Sequence, residues 1–382
     1  MTGHTDRTSR PGRNSAGVAL VVVLLAAALA CTPAPTGGGS GPGATTSTTL
    51  PLPTDTTPFT VVFVGDSEAR MRGNTDSEVA GYVRNLIDYR SSKVLHFAYD
   101  NGRYRVDPRL VILGGDISAD RDTSVAADLP IWQQLYDNGI GFIAGFGNHD
   151  WDPPTFGDGS AGYSVAGNAS NESTTAFTRE TYRRTAELDP DFTYDEVGPT
   201  SSHGPFTFHA TYRGVEIVNF NTFLYQPSYA YPENWPLSCN LLGGGAGCET
   251  FVSAEPQIAA MERRINPDPA RTLLVVQHYP LSTPDSWWDD FGASGTTLAQ
   301  RKDRLLRLMS SHDHVALLAG HNHAAGHFTH AVGGRTLDEY VAPYFGGTNG
   351  VDPTQGGGFV ALLVSPVDGI LEVKTVPGGT SG

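Results

Sequence analysis

Six residues of types that hold divalent metal ions each follow a short apolar run: Asp66, Asp116, Asn148, His278, His321 and His323. They stand in five blocks, Gly65-Asp66, Gly114-Gly115-Asp116, Gly147-Asn148-His149-Asp150, Gln277-His278 and Gly320-His321-Asn322-His323. Hard divalent ions take carboxylate, carbonyl and imidazole donors that converge on a rigid edge. A carboxylate shared by two ions holds them about 3.5 to 4 Å apart, a spacing used for in-line displacement at phosphorus, and bound cations bring the pKa of water from about 15.7 toward neutrality. Taken singly each block is weak, because Gly-Asp after a strand is often only a turn and a lone histidine is more often structural. The ordered set points to one metal-binding edge.

The elements that must position these residues read as a layered α/β domain. Apolar runs at Phe59 to Val64, Leu110 to Leu113, Ile140 to Ala144, Thr272 to Val276 and Val315 to Ala319 are expected as strands, each delivering one block from its end. Between them, Val79, Tyr82, Val83, Leu86 and Ile87 recur at helical spacing behind a Thr75/Glu78 capping box. Further helices are expected near Asp128 to Asn138, Pro256 to Ile265 and Thr297 to Met309. The stretch 151–270 is rich in Gly, Ser, Thr and Tyr and is expected as an insertion over the active face, with one hairpin in Phe206 to Phe220 turning at Arg213-Gly214. Phe359 to Val364 and Ile370 to Val376, joined through Asp368-Gly369, are expected as a closing hairpin of the second sheet.

The first 58 residues differ in kind. Arg7, Arg10 and Arg13 precede an apolar run from Val18 to Ala30 and then Cys31, the order of a secretory signal in 1–30. The run is shorter than the roughly 20 residues a spanning helix needs. Ala27-Ala28-Leu29-Ala30-Cys31 resembles a bacterial lipobox, which implies lipidation of Cys31 and an exported protein anchored at the cell envelope, outside the cytoplasm. The alternative is an ordinary cleaved signal. Residues 31–58 are Thr, Pro, Gly and Ser with a single charge, Asp55, a composition expected to act as a disordered tether; 377–382 is expected as a flexible tail. Cys239 and Cys248, flanking a glycine-rich stretch, are expected as a local disulfide in an oxidising compartment, the alternative being two free thiols. The chain carries 25 Lys+Arg against 40 Asp+Glu, a net charge of −15 that opposes general nucleic-acid binding.

The five blocks, in this order, resemble those of the calcineurin-like metallophosphoesterase family over roughly 59–376. The resemblance implies two mixed β-sheets packed as a sandwich with flanking helices, and two divalent ions; the carboxylate-rich donor set leads to the expectation of Mn, Fe or Zn. It implies that Asp116 bridges the ions, that Asp66 and His323 bind the first, and that Asn148, His278 and His321 bind the second. His149 matches the residue that contacts the substrate phosphate and protonates the leaving group, and Asp150 beside it could hold its tautomer. One departure stands out: the family's first block is usually Asp-any-His, and here it reads Asp66-Ser67-Glu68. Alternation along an extended segment places Glu68 on the side of Asp66, so it is expected as a carboxylate ligand, against the alternative of a solvated loop acid. Asp120 is expected as a supporting or turn acid, and His312, His314, His327 and His330 as surface or sheet residues. The implied reaction is hydrolysis of a phosphate ester by a metal-bridging hydroxide with His149 as general acid. Monoesterase, diesterase and nucleotidase stay open. A second reading is a cell-surface binding or scaffold lipoprotein that retains the fold without the reaction.

Overall fold

Most of the apolar runs fold as strands covered on both faces, which is why they read as unbroken hydrophobic segments. The structure, a computed structural model, describes residues 55–67, 76–117, 129–145, 147, 167–197, 207–220, 262, 264, 265, 270–282, 304, 306–346 and 356–378. In chain order the elements are β1 (Phe59–Val64), α1 (Asp76–Ser91), α2 (Tyr99–Gly102), β2 (Pro108–Leu113), α3 (Leu129–Asp137), β3 (Gly141–Ala144), α4 (Gly167–Leu188), β4 (Phe192–Val197), β5 (Thr207–Tyr212), β6 (Val215–Asn219), β7 (Thr272–Gln277), β8 (His314–Ala319), β9 (Gly326–Val332), β10 (Arg335–Val341), β11 (Phe359–Ser365) and β12 (Gly369–Val376).

They build two mixed sheets, ordered β12-β11-β1-β2-β3 and β4-β5-β6-β7-β8-β10-β9. In the first, β1, β2 and β3 run parallel and β11 pairs antiparallel with both β1 and β12. In the second, β6, β7, β8 and β10 run parallel, with antiparallel partners at both edges. The period-2 alternation of strands sorts the side chains into layers. Val61, Phe63, Leu110, Ile112 and Leu362 meet Phe208, Ile217, Leu274, Val276 and Leu318 between the sheets. Val62, Val64, Val111, Leu113 and Phe142 point the other way, onto Val83 and Leu86 of α1 and Trp132 and Leu135 of α3. On the far side, Val218, Leu273, Val275 and Leu317 are covered by Ile265, Leu306 and Met309. Trp132 stacks on Phe142 with ring centroids 4.4 Å apart and planes at 4°, so truncating it to alanine would cost about 3 to 5 kcal/mol.

The expected sandwich of two mixed sheets with flanking helices is the observed architecture. Three particulars differ from expectation. Part of the stretch expected as an insertion is integral to the fold, for β4, β5 and β6 form one side of the second sheet and β6 lies directly against β7. The hairpin within it does turn where expected, at Arg213 and Gly214, both at positive φ (49° and 81°), as a two-residue turn of this kind requires. The C-terminal hairpin belongs to the first sheet, where β11 pairs with β1 and its side chains alternate between the helix-covered layer (Phe359, Ala361, Leu363) and the layer between the sheets (Val360, Leu362, Val364). The β9–β10 hairpin was not expected at all.

α4 covers the edge strand β3 through threonines. Thr185 Oγ1 accepts the Phe142 N–H (3.0 Å) and Thr181 Oγ1 accepts that of Ala144 (3.2 Å), closing an edge that would otherwise be open to a further strand. Among the described residues no helix is long and apolar enough to cross a membrane. The leader, Cys31, Glu68, Asp120, Asn148, His149, Asp150, Cys239 and Cys248 lie outside the described residues.

Candidate metal centre

Parallel strands present their C-terminal ends to one edge, and there the two sheets deliver their polar residues to a common point. Asp66 follows β1, Asp116 follows β2, His278 follows β7, and His321 and His323 follow β8. Asp66, Asp116 and His278 are buried, and one ligand atom from each lies within 4.8 Å of the others. His278 Nε2 is 3.1 Å from Asp116 Oδ2 and 3.6 Å from Asp66 Oδ1, while His323 Nε2 is 3.4 Å from Asp66 Oδ1. The structure thus brings together five of the residues singled out in the sequence.

The backbone around them is bent to make this approach possible. Asp116, His321 and His323 have positive φ, at 50°, 68° and 55°, which is uncommon for residues with side chains and clusters where geometry is imposed by function. The turn at His321 aims its own N–H at Asp66 Oδ2 (2.8 Å). Asp66 is held by its main chain too, its carbonyl accepting from Phe345 N–H (3.1 Å) and Gly346 N–H (2.9 Å). Ser67 Oγ donates to the Ile117 carbonyl (2.7 Å), tying the β1 loop to the β2 loop. Gly147 is fixed by contact: a Cβ there would stand 2.0 Å from Asp116 Oδ1 and 2.3 Å from its backbone N.

Orientation of the imidazoles is equally determined. His278 Nδ1 lies 3.0 Å from the Gly114 carbonyl, which can only accept, so Nδ1 carries a proton and Nε2 faces the carboxylates. The His321 ring meets Tyr279 edge-on at 4.2 Å, and the His323 ring stacks on buried Tyr344 at 4.4 Å. Tyr279, Tyr344 and Gly147 were not singled out as site residues in the sequence; only the glycine that opens four of the five polar blocks hinted at Gly147.

The electrostatics are those of a cation site. Burial alone would raise the Asp66 carboxyl, but the charge of His278 and the neighbouring His323 and His321 outweigh it and hold Asp66 well below the usual carboxylate range. Burial would depress His278, yet Asp116 and Asp66 raise it to about 9. His321 is lowered to about 4 by burial and by the His278 charge. Asp66 Oδ1 is buried and receives no hydrogen bond of good geometry. Its nearest donors are the more distant imidazoles of His323 (3.4 Å) and His278 (3.6 Å), and a buried carboxylate oxygen with no short donor is one a cation could take up, so the donor set fits a bound cation. Two carboxylates and up to three imidazoles, further, are a mixed oxygen and nitrogen set of the kind that holds divalent metal ions.

No family model and no curated protein matches the chain. Among solved structures it is similar to GAP50, the anchor in the inner membrane complex of Plasmodium, with 13% identity over 85% of this chain and 90% of that one and a TM-score of 0.36. It is similar to a predicted phosphoesterase from Streptococcus pneumoniae TIGR4, at 10% identity over 85% and 99% of the two chains and a TM-score of 0.26. A third is the sulfate thiohydrolase SoxB of Thermus thermophilus, solved in complex with glycerol, at 10% identity over 86% of this chain and 57% of that one and a TM-score of 0.37. Likeness at such scores carries no chemistry, which the side chains alone must supply.

Proposed function

We propose that this protein is a metal-dependent hydrolase of phosphate esters, exported and held at the cell envelope by lipidated Cys31. The observation that carries the reading is the buried convergence of Asp66, Asp116 and His278 at the edge shared by the two sheets, with Asp66 Oδ1 lacking a well-formed hydrogen bond. Asp66, Asp116, His278, His321 and His323 would hold the ions, with Glu68 and Asn148 completing the set on the pattern of the sequence. Two ions are proposed, of manganese, iron or zinc. When bound, such ions polarise a phosphoryl oxygen and lower the pKa of water enough to supply a nucleophile at neutral pH.

The chain's own residues do the rest. Gly114 fixes the His278 tautomer, so that Nε2 is the atom offered at the site. Asp66 is aimed by the His321 amide and by the loop that follows β10. His149 is assigned the proton given to the departing oxygen, and Asp150 its orientation. The disulfide between Cys239 and Cys248 is proposed from the exported setting. The test is hydrolysis of p-nitrophenyl phosphate and bis-p-nitrophenyl phosphate by the purified protein, before and after chelation and metal add-back. Turnover abolished by chelation and restored by metal is expected, and the preferred ester would separate monoesterase from diesterase. Metal binding without turnover on any phosphate ester would favour the non-catalytic scaffold.

A further inference from the structure

Glu339, in the middle of β10, is completely buried, and no lysine or arginine pairs with it among the described residues. Its carboxylate instead accepts two main-chain amides and one imidazole. Oε1 accepts the Leu281 N–H (2.5 Å), and Oε2 accepts the Ser282 N–H (2.9 Å) and faces His330 Nε2 (2.9 Å). A buried carboxylate is strongly disfavoured unless donors surround it, and hydrogen bonds to a charged acceptor are roughly twice as strong as neutral ones. The geometry therefore describes a clamp: a carboxylate on one strand grips the loop that leaves another, across the intervening β8.

What the loop carries gives the clamp its meaning. It begins at His278, whose carbonyl accepts the Gly320 N–H (2.9 Å) from the next site loop. Its second residue, Tyr279, presents its ring to His321 (4.2 Å) and to His278 (5.4 Å). Leu281 and Ser282 thus form the far end of a short segment whose near end bears one candidate ligand and braces a second. We infer that Glu339 is a positioning residue for the metal centre, with His330 orienting its carboxylate. This rests on the reading of the site as a metal centre. Loss of the clamp frees the loop beyond His278, so the penalty falls on the precision with which His278 and His321 meet an ion. Groups that support metal ligands from behind are typically worth 10- to 100-fold in metal affinity.

The test compares Co²⁺ affinity and the visible Co²⁺ spectrum of the full-length protein with those of Glu339→Gln and His330→Ala, alongside the melting temperature of each after chelation. The amide of glutamine can accept from only one of the two main-chain donors. Glu339→Gln is expected to weaken Co²⁺ binding about 10- to 100-fold and to change the spectrum. His330→Ala is expected to move both in the same direction by a smaller factor. A lowered melting temperature with unchanged affinity and spectrum would show a merely structural role and overturn the inference. Should Glu339→Gln not fold, His330→Ala decides, and unchanged affinity there overturns it. Absence of Co²⁺ binding by the unsubstituted protein would instead sink the metal reading itself.

Discussion

His278 and Asp116 meet across the junction of the two sheets, with Nε2 of the imidazole 3.1 Å from Oδ2 of the carboxylate. One residue leaves β7 of the second sheet and the other leaves β2 of the first, so the contact depends on the sandwich being closed. The pair therefore meets only in the closed sandwich.

The first prediction concerns pH. In the metal-free protein His278 is raised to about 9, so the folded state binds its proton more tightly than the unfolded chain, where histidine titrates near 6.5. Its contribution to stability is fully present below about 6.5 and is lost as pH rises through about 9. His321 is lowered to about 4, so the unfolded chain takes that proton first and stability falls as pH drops from about 6.5 through 4. Melting temperature against pH, measured after chelation, should peak between these limbs. In His278→Gln the alkaline limb should flatten; an unaltered alkaline limb would count against the assignment.

Metal binding should run the other way with pH. An ion that takes His278 Nε2 must displace its proton, so apparent affinity should climb about tenfold per pH unit below 9 and then level off. Calorimetry in buffers of different ionisation enthalpy would count the proton released, and binding without proton release near pH 7 would contradict it.

Gly147→Ala tests the close approach of the loops. The new Cβ would stand 2.0 Å from Asp116 Oδ1 and 2.3 Å from its backbone N, and a backbone atom cannot swing aside. Overpacking of this kind costs about 1 to 3 kcal/mol or more, and here the atoms displaced belong to a candidate ligand. Both melting temperature and metal content should drop; a variant with normal metal content would show that Asp116 is not held as described.

His149→Ala addresses the proposed proton transfer. Rates on alkyl phosphates should fall about 10²- to 10⁴-fold, with a much smaller loss on an activated phenolate ester. Equal losses on both would remove the general-acid role.

What the sequence revealed of this fold follows from how its elements are covered. β1, β7 and β11 are buried on both faces, so they stand out as apolar runs. α4 was missed because the face it turns to β3 carries buried Thr178, Thr181 and Thr185 where an apolar stripe would be looked for, and the hydroxyls of Thr181 and Thr185 serve there as hydrogen-bond partners. β9 was missed because Phe328 and its neighbours are largely exposed and alternate with no consistent apolar face. Sheet membership of the C-terminal hairpin could not be read from periodicity, which records that a strand is buried and not which strand it lies against. At the site, the liganding types were legible through their place after strands. Glu339 and Tyr344 were not, since neither stands in a block and each acts through a contact made only in the folded chain. His330, expected as a surface or sheet residue, is on a strand and also backs Glu339.

The most direct test is metal content of the purified protein beside that of Asp116→Asn, by elemental analysis after exchange into metal-free buffer. The unsubstituted chain should retain about two transition-metal ions, as a centre with a bridging carboxylate requires, and Asp116→Asn should lose at least one while keeping its fold. A chain that retains none, or a variant that retains as many as its parent, would contradict the metal centre.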